Sequence, residues 1–537
     1  MTGAMTGATY RSQARPDGDG FWPLLRAEWV KFRTVRGWVA GLVVAALAIM
    51  ILGLGPSVTG SCGMHGPASA CTQTLGQGGE PVTDSFYLAR RPLDGNGAIT
   101  VRMTSLTGQI PDFSGNVRLG GGTQMRSGLV PWAKAGIIVK ASTRLGSAYA
   151  AMMITGGHGV RMQYDYTGDV PGLAGTVSAA SPRWLRLTRS GDTLTGYDSP
   201  DGSHWTRVAA VTLAGLPSTV QGGLFATSPP YLQTSLGQLA LDTANSQATG
   251  TFDHVALRGG WAGGGQGGGG QADGGWAGTA IGAPGGPAAG SPGDFTEAAG
   301  RFTVSGTGDI APAVSGASGL GVTIAQTLIG VFAGLIAVAV VGAAFMTAEY
   351  RRGLIRVTFA ATPRRGRVLA AKAVVIAAVT FAAGLVSAAV VVVFGQRVLR
   401  EHGVYVWPAT ALTELRVIVG TAAVLAVAAV LALAIGSLLR RSAVTVAVVV
   451  LVLVLPYLLT VTTPLLPAGP TEWLARVSPA AAFAVQGTLA RYPQVSNVYM
   501  PSAGYWPLAP WAGLAVLCAW AAVSLGLAAY LLNRRDA

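Results

Sequence analysis

Apolar positions along the 537 residues follow two distinct patterns. Six windows contain no Asp, Glu, Lys or Arg: residues 37–54, 322–346, 373–394, 417–439, 442–466 and 511–532. A helix needs roughly 20 mostly apolar residues to cross a hydrocarbon core about 30 Å thick. Backbone groups inside lipid must be satisfied internally, so each window predicts a transmembrane helix rather than a strand or loop. The first window could instead be a cleaved signal peptide. Its polar lead of 36 residues is too long for that, and Gly53-Leu54-Gly55-Pro56-Ser57 offers no small-x-small cleavage site.

Between the first two windows the period changes. Arg161, Gln163 and Asp165 alternate with Met162, Tyr164 and Tyr166, as in a half-buried strand. Similar runs occur at 98–106, 133–141, 148–155, 183–189, 193–198, 205–211, 222–227 and 251–257, separated by turn residues, which predicts a sandwich or barrel. The clearest hairpin spans 193–208, with Pro200-Asp201-Gly202 supplying the turn. Residues 259–293 hold 17 glycines in 35 and read as a flexible linker. Residues 295–313 resume a strand-like pattern and are expected to rejoin the sandwich as an edge strand.

Charge then orients the chain. Only 11% of residues are charged, against about a quarter in an ordinary soluble domain, and the net charge is +14. The N-terminus to Arg36, residues 347–372, the Arg440-Arg441 turn and the C-terminal tail together hold 17 basic and five acidic residues. The segment 55–321 holds 15 of each. Cytoplasmic loops are enriched in Lys and Arg, so both termini are expected in the cytoplasm of a multi-pass plasma-membrane protein, with the β-rich insert outside. The positive excess thus marks orientation and the lipid surface, and nucleic acid is not an expected partner.

The chemistry the sequence excludes is as informative. There is no Gly-x-x-x-x-Gly-Lys-Ser/Thr phosphate loop, so no ATP hydrolysis by that route is expected from this chain. Glu414 and Arg416 fall at an external helix end, and Glu349 and Lys372 at cytoplasmic ends. An ion-coupled carrier usually places an ionisable group or broken helix at mid-membrane. Energy is therefore expected from a partner. No catalytic residue, cofactor site or metal set is assigned, and His65 with Cys62 and Cys71 does not make a convincing zinc set. Cys62 and Cys71 are a candidate disulfide if the segment is external, the alternative being two free thiols. Cys518 reads as an apolar packing residue within the last span.

Two cytoplasmic segments suit contact with lipid or a partner. In residues 21–36, Trp22, Leu25, Trp29 and Phe32 recur at helical spacing among Arg26, Lys31 and Arg33, as in an interfacial helix. In residues 347–372, Ala348-Glu349-Tyr350-Arg351-Arg352-Gly353-Leu354-Ile355-Arg356 is followed by Thr362-Pro363-Arg364-Arg365-Gly366-Arg367.

Two resemblances follow. The segments Trp132-Ala133-Lys134-Ala135-Gly136-Ile137-Ile138-Val139, Trp184-Leu185-Arg186-Leu187 and Tyr197-Asp198-Ser199-Pro200-Asp201-Gly202-Ser203-His204-Trp205 resemble the concanavalin/laminin-G-like β-sandwich family over about residues 84–258. Members often bind glycans, which makes Trp184, Tyr197 and Trp205 a candidate ligand surface. The alternative is that such rings are hairpin core. Glu-Tyr-Arg-x-Gly after the second window, Thr-Pro-Arg-Arg before the third and Ala27-Glu28-Trp29-Val30-Lys31-Phe32-Arg33 together resemble permease subunits of type-2 ABC transporters, in a form common in actinobacteria. That resemblance covers about residues 21–58 and 294–537, but not the sandwich, which stands where the family generally has a short loop.

The second resemblance implies an exporter permease. It would work with a separate ATPase subunit that carries ATP and Mg, with a second permease copy, homo- or heterodimeric, and with membrane lipid. It further implies an ATPase-coupling helix formed by Glu349, Tyr350, Arg351, Arg352, Gly353 and Arg356, and short re-entrant helices near 471–488. The expected layout is a polytopic α-helical membrane protein with six transmembrane helices and an all-β extracellular sandwich. Its parts are a cytoplasmic N-terminus with the interfacial helix (1–36), a first span (37–57), an extracellular region (58–258), a linker (259–293), a strand-like segment (294–320) and spans two to six (321–537), with the coupling segment at 347–367. The competing reading is a membrane-anchored extracellular glycan-binding or sensor protein.

Overall fold

The structure is a computed structural model that describes residues 20–59, 73–113, 124–235, 240–262, 275–282, 293–315, 321–351, 353, 364–461, 468–497, 499, 501 and 504–534. Two compact units emerge: residues 1–61, 322–489 and 500–537 form one, and 62–321 with 490–499 form the other.

The first unit is helical. Helix α1 (Phe21–Thr34) is separated from α2 (Arg36–Thr59) by Val35, whose extended backbone turns the chain. Thr323 and Gln326 form a reciprocal capping box that starts α3 (Ile324–Thr327), and a 3-10 turn leads into α4 (Val331–Arg351). Helix α5 (Arg365–Val390) runs through a π-helical turn, Val391–Gly395, into α6 (Gln396–Glu401). Thr410 caps α7 (Ala411–Leu439), which ends at Arg440 in the left-handed conformation. There follow α8 (Ser442–Val461), α9 (Ala468–Val477), a 3-10 helix (Pro479–Gln486) and α10 (Pro510–Arg534).

Among the described residues six helical stretches are long and apolar enough to cross a membrane, one for each charge-free window. They are not equivalent. In the α7 stretch 67% of the most apolar window is buried within the protein, against 17% for α10. Helix α7 is therefore central, while α10 turns most of its apolar surface outward, as lipid or another apolar partner requires. Helices α4 and α7 approach closely through Gly342: a Cβ there would lie 2.5 Å from the Ala429 carbonyl oxygen.

The second unit is β-rich. Its first strand, β1 (Val82–Asp84), is followed by β2 (Phe86–Pro111), a 26-residue strand in which Ile99, Val101 and Met103 are buried. Then come β3 (Met125–Ser127), β4 (Lys134–Lys140), β5 (Tyr149–Thr155), β6 (Val160–Tyr164), β7 (Gly168–Pro171), β8 (Arg183–Ser190), β9 (Thr193–Ser199), β10 (Thr206–Thr212), β11 (Thr219–Thr227), β12 (Tyr231–Ser235) and β13 (Ala240–Ala244). The last are β14 (Gln247–Trp261), β15 (Ala277–Ile281), β16 (Gly293–Ala298), β17 (Arg301–Gly306) and β18 (Ile310–Pro312). Fourteen strands share one sheet, whose main path runs β10-β9-β8-β2-β11-β4-β5-β6-β7. Strand β2 joins it together, pairing β11 and β15 along its first half and β8 and β14 along its second. The expected hairpin is β9–β10, with Asp198 opposite Thr206.

Two boundaries differ from expectation. The sheet continues to Trp261, which is buried and donates its indole N–H to the Ala98 carbonyl at 3.0 Å. Within the glycine-rich stretch, β15 pairs with residues 86–90 of β2. Trp276 and Ile281 supply the apolar contacts that glycine cannot, so residues 259–293 are not simply a linker. Residues 293–306 do rejoin the sheet: β17 pairs with β14, and β16 pairs with the other side of β17. Strand β18 pairs separately with β1. Cys62 and Cys71 lie outside the described residues. Cys518 is exposed rather than packed.

Candidate functional site

The chemically distinctive place in the helical unit lies where α1, the end of α4 and the start of α5 meet. Glu28 and Lys31 are one helical turn apart on α1, and their side chains pair at 2.8 Å. Lys372 of α5 places its ammonium 2.8 Å from the other Glu28 oxygen and 2.7 Å from Glu349 Oε1. Lys31 reaches the same Glu349 oxygen at 3.2 Å. Two ammonium groups and two carboxylates thus close a neutral cluster from three helices.

Lys372 and Glu28 are about 1% exposed and Glu349 7%, whereas Lys31 is 41% exposed. Burial works against the charged form of Lys31, but hydrogen bonding and attraction from Glu28, then Glu349, hold its ammonium above the usual lysine range. An aromatic wall seals the cluster: Phe345 meets Phe32 and Trp38 edge-on at 5.6 and 4.9 Å, and the Lys372 ammonium sits 4.5 Å from the Phe345 ring centre. Glu349 Oε2 is buried with no hydrogen-bond partner, so the cluster retains an open acceptor.

This geometry revises several expectations. Glu349 was expected to face a partner subunit, but it turns inward and is engaged by two lysines. Removing an ion from water costs several kcal/mol unless it is paired, and the paired interior is where this carboxylate sits. Tyr350 is half-buried under the Arg440 guanidinium, 5.0 Å from its ring centre. Arg351 is exposed, and Gly353 takes a left-handed φ of 66° that suits glycine at a helix end. Arg352 and Arg356 lie outside the described residues.

The expected interfacial stripe of α1 also divides. Trp22 and Trp29 are 75% and 44% exposed, Leu25 packs partly against the core, and Phe32 is buried at 2%. Phe32 shares the inner side of α1 with Glu28, so only part of the stripe is free for lipid. Sequence reasoning missed Glu28, Lys31 and Lys372 as a set. Their signal was opposite charge at apolar helix ends, but the partners lie up to 344 residues apart.

In the β unit, register places Arg186 opposite Tyr197 and Trp184 opposite Ser199. The Trp205 ring is covered by the Arg186 guanidinium at 3.8 Å, and its indole donates to the Gly202 carbonyl. Trp184 packs on Gly202, where a Cβ would lie 2.7 Å from the ring. Trp205 thus packs within its own hairpin and Trp184 of β8 against that hairpin's turn, and Trp184, Tyr197 and Trp205 are all half-buried. Hydrogen bonding from His204 holds the Asp201 carboxyl well below the ordinary range, fixing the turn. No group of three or more His, Cys, Asp or Glu suited to a metal occurs among the described residues.

Comparison with known proteins gives a family. A family model described as "ABC-2 family transporter protein" matches residues 217–537, more than half the chain. No curated protein matches. Solved structures similar to part of the chain include a functionally unknown protein from Saccharomyces cerevisiae, with 15% identity over 35% of this chain and 82% of that one and a TM-score of 0.22. A Scytalido-glutamic peptidase bound to a peptide-based transition state analog shows 7% identity over 41% of this chain and 98% of that one, with a TM-score of 0.21. Likeness at that level carries no argument about activity.

Proposed function

This chain belongs to the ABC-2 transporter family, and from that premise we propose that it is the membrane-spanning permease subunit of an exporter driven by a separate ATPase subunit. As a family member it is a multi-pass membrane protein and a permease of an ABC transporter. Export, the separate ATPase, a paired permease copy and cytoplasmic termini are the further content of the reading. Positive charge concentrated at the helix ends and in the flanking segments supports that orientation.

The observation that carries the coupling role is the Glu28–Lys31–Glu349–Lys372 cluster. It fixes α1 and α5 to the last turn of α4, immediately before the basic segment 351–367. A partner that grips this segment and rotates with its nucleotide state would move three helix ends together, because packed and paired elements shift as bodies rather than deform continuously. Glu349 then acts inside the permease, as the anchor of the coupling segment, while exposed Arg351 is a candidate for direct contact. Arg352 and Arg356 extend that contact in the proposal, and ATP and Mg belong to the partner.

Co-purification of the full chain with a co-expressed ATPase subunit tests the reading. Arg351→Ala is expected to weaken assembly, by loss of a charge-assisted contact. Glu349→Gln is expected to leave assembly intact and reduce transport. Undiminished assembly and transport in both variants would overturn it.

A further inference from the structure

Strand β4 is buried along its whole length, and a lysine stands at each end. Lys134 pairs with Asp309 at 2.7 Å and Lys140 with Asp84 at 2.8 Å, both ammonium groups fully buried. Asp84 ends β1 and Asp309 precedes β18, so β4 grips both members of the small two-stranded sheet. The two pairs differ in what surrounds them.

Around Lys134 the other polar contacts are acceptors: the Gln163 side chain at 3.2 Å and the Ile310 carbonyl at 3.0 Å. Lys140 also has further acceptors, the Ser147 carbonyl and the Tyr166 hydroxyl, each at 2.9 Å, but here the carboxyl itself is polarised. Asp84 Oδ2 accepts from the Gly146 amide and the Tyr166 hydroxyl, each at 2.9 Å, besides the Lys140 amine. Asp84 Oδ1 is buried and accepts nothing. A second carboxyl, Asp165, is near enough to act electrostatically on Lys140, and its Oδ1 is likewise buried without a partner. Asp165 and Tyr166 both have positive φ, 40° and 61°, a conformation that L-residues seldom adopt and that surrounding structure must hold. That turn carries the Tyr166 hydroxyl to Asp84.

We propose that Lys140 and Asp84 are the two halves of an intramolecular isopeptide bond that the folded β unit forms without an enzyme or cofactor. The Lys140 Nζ lone pair attacks Asp84 Cγ, and a C–N bond forms. Negative charge develops on Oδ2, where the Gly146 N–H already points and to which the Tyr166 hydroxyl, also within reach of the Ser147 carbonyl, can donate, as donors do in an oxyanion hole. With a proton already on Asp84 Oδ1, a second one from the amine passes through the Asp165 carboxyl to that oxygen, the Cγ–Oδ1 bond breaks, and one water leaves. Amine plus carboxylic acid gives amide plus water, with no change of oxidation state.

Two features favour the reaction. Holding both groups in one buried site replaces an encounter by an intramolecular step, which can be worth an effective concentration on the order of 10⁵ M or more. Burial also favours the neutral forms the step requires: it lowers the Lys140 ammonium's pKa, against the pull of Asp84 and Asp165, and it raises the Asp165 carboxyl's. The product would tie β1 covalently to β4. At the Lys134 pair the carboxyl, Asp309, accepts from the Ile310 amide at 2.8 Å, with no turn like 165–166 to bring a hydroxyl to it, and the pair stays an ion pair.

Intact-mass spectrometry of the full-length protein reads the bond directly. The expected mass is one water below that of the sequence, and proteolysis should release a branched peptide that joins the segments containing Lys140 and Asp84. Lys140→Arg and Asp84→Ala should restore the full mass. Asp165→Asn, which keeps a residue tolerant of positive φ, should leave most chains uncross-linked while circular dichroism shows the sheet unchanged. If a variant fails to fold, the wild-type peptide still decides. A wild-type mass equal to the full sequence, with Lys140 recovered in a linear peptide, would overturn the proposal. A deficit of two waters would overturn the distinction between the two lysines, and full cross-linking in Asp165→Asn would overturn the role of that residue.

Discussion

Both units bury lysine–carboxylate pairs, but they arrange them differently. In the β unit two separate pairs stand at the ends of one strand, each lysine sealed from water. In the helical unit four charges share one cluster, in which Glu349 serves two lysines through a single oxygen and Lys31 remains 41% exposed. Separate sealed pairs hold fixed partners. A shared cluster with one wet member ties three helix ends through common partners. The difference teaches that similar ion pairs can seal the ends of one strand in one unit and join separate helices in the other.

The largest test of this contrast is Lys372→Met. It leaves Glu28 and Glu349 buried with only the half-exposed Lys31 between them, and breaking a buried pair from one side costs about 3–5 kcal/mol. Thermal unfolding in detergent should show a marked loss for the helical unit. Asp309→Ala is the counterpart in the β unit. It strands the Lys134 ammonium against neutral acceptors and should cost about 3 kcal/mol, read as a lower denaturant midpoint for the β unit with little change in the helical one.

Lys31→Ala should cost much less, about 1 kcal/mol or below, because solvent screens a half-exposed ion and Lys372 still neutralises both carboxylates in part. A loss as large as that of Lys372→Met would mean that the exposed lysine holds the cluster as firmly as the buried one. The smallest effect is on pH. The Lys31 ammonium is held above its ordinary value of 10.5. Its stabilisation is therefore complete below pH 10.5 and lost as pH rises through the higher folded value. Alkaline titration of the wild type should loosen α1, as reported by Trp29 fluorescence, and Lys31→Met should remove that transition.

Local patterns were legible in the sequence, and long-range meetings were not. Six charge-free windows correspond to six apolar helices because hydropathy is a property of each segment alone. The β9–β10 hairpin was legible because its turn residues lie between its strands. The partners β8, β11, β14 and β15 of β2 come from distant parts of the chain, and no periodicity states which strands meet. The stretch 259–293 was misjudged because glycine content outweighed two apolar anchors, Trp276 and Ile281. The orientation of Glu349 was hidden for the same reason as β2 pairing: the lysines that turn it inward are 23 and 318 residues away.

ATP hydrolysis by the assembled complex in lipid vesicles tests the coupling role most directly. The full chain, wild type or Glu349→Gln, would be reconstituted with its ATPase subunit at equal assembly. The expected result is nucleotide hydrolysis that depends on the wild-type chain and falls roughly tenfold in Glu349→Gln, equivalent to about 1.4 kcal/mol of lost coupling. Hydrolysis that is the same with and without the chain, or unchanged by Glu349→Gln, would contradict it.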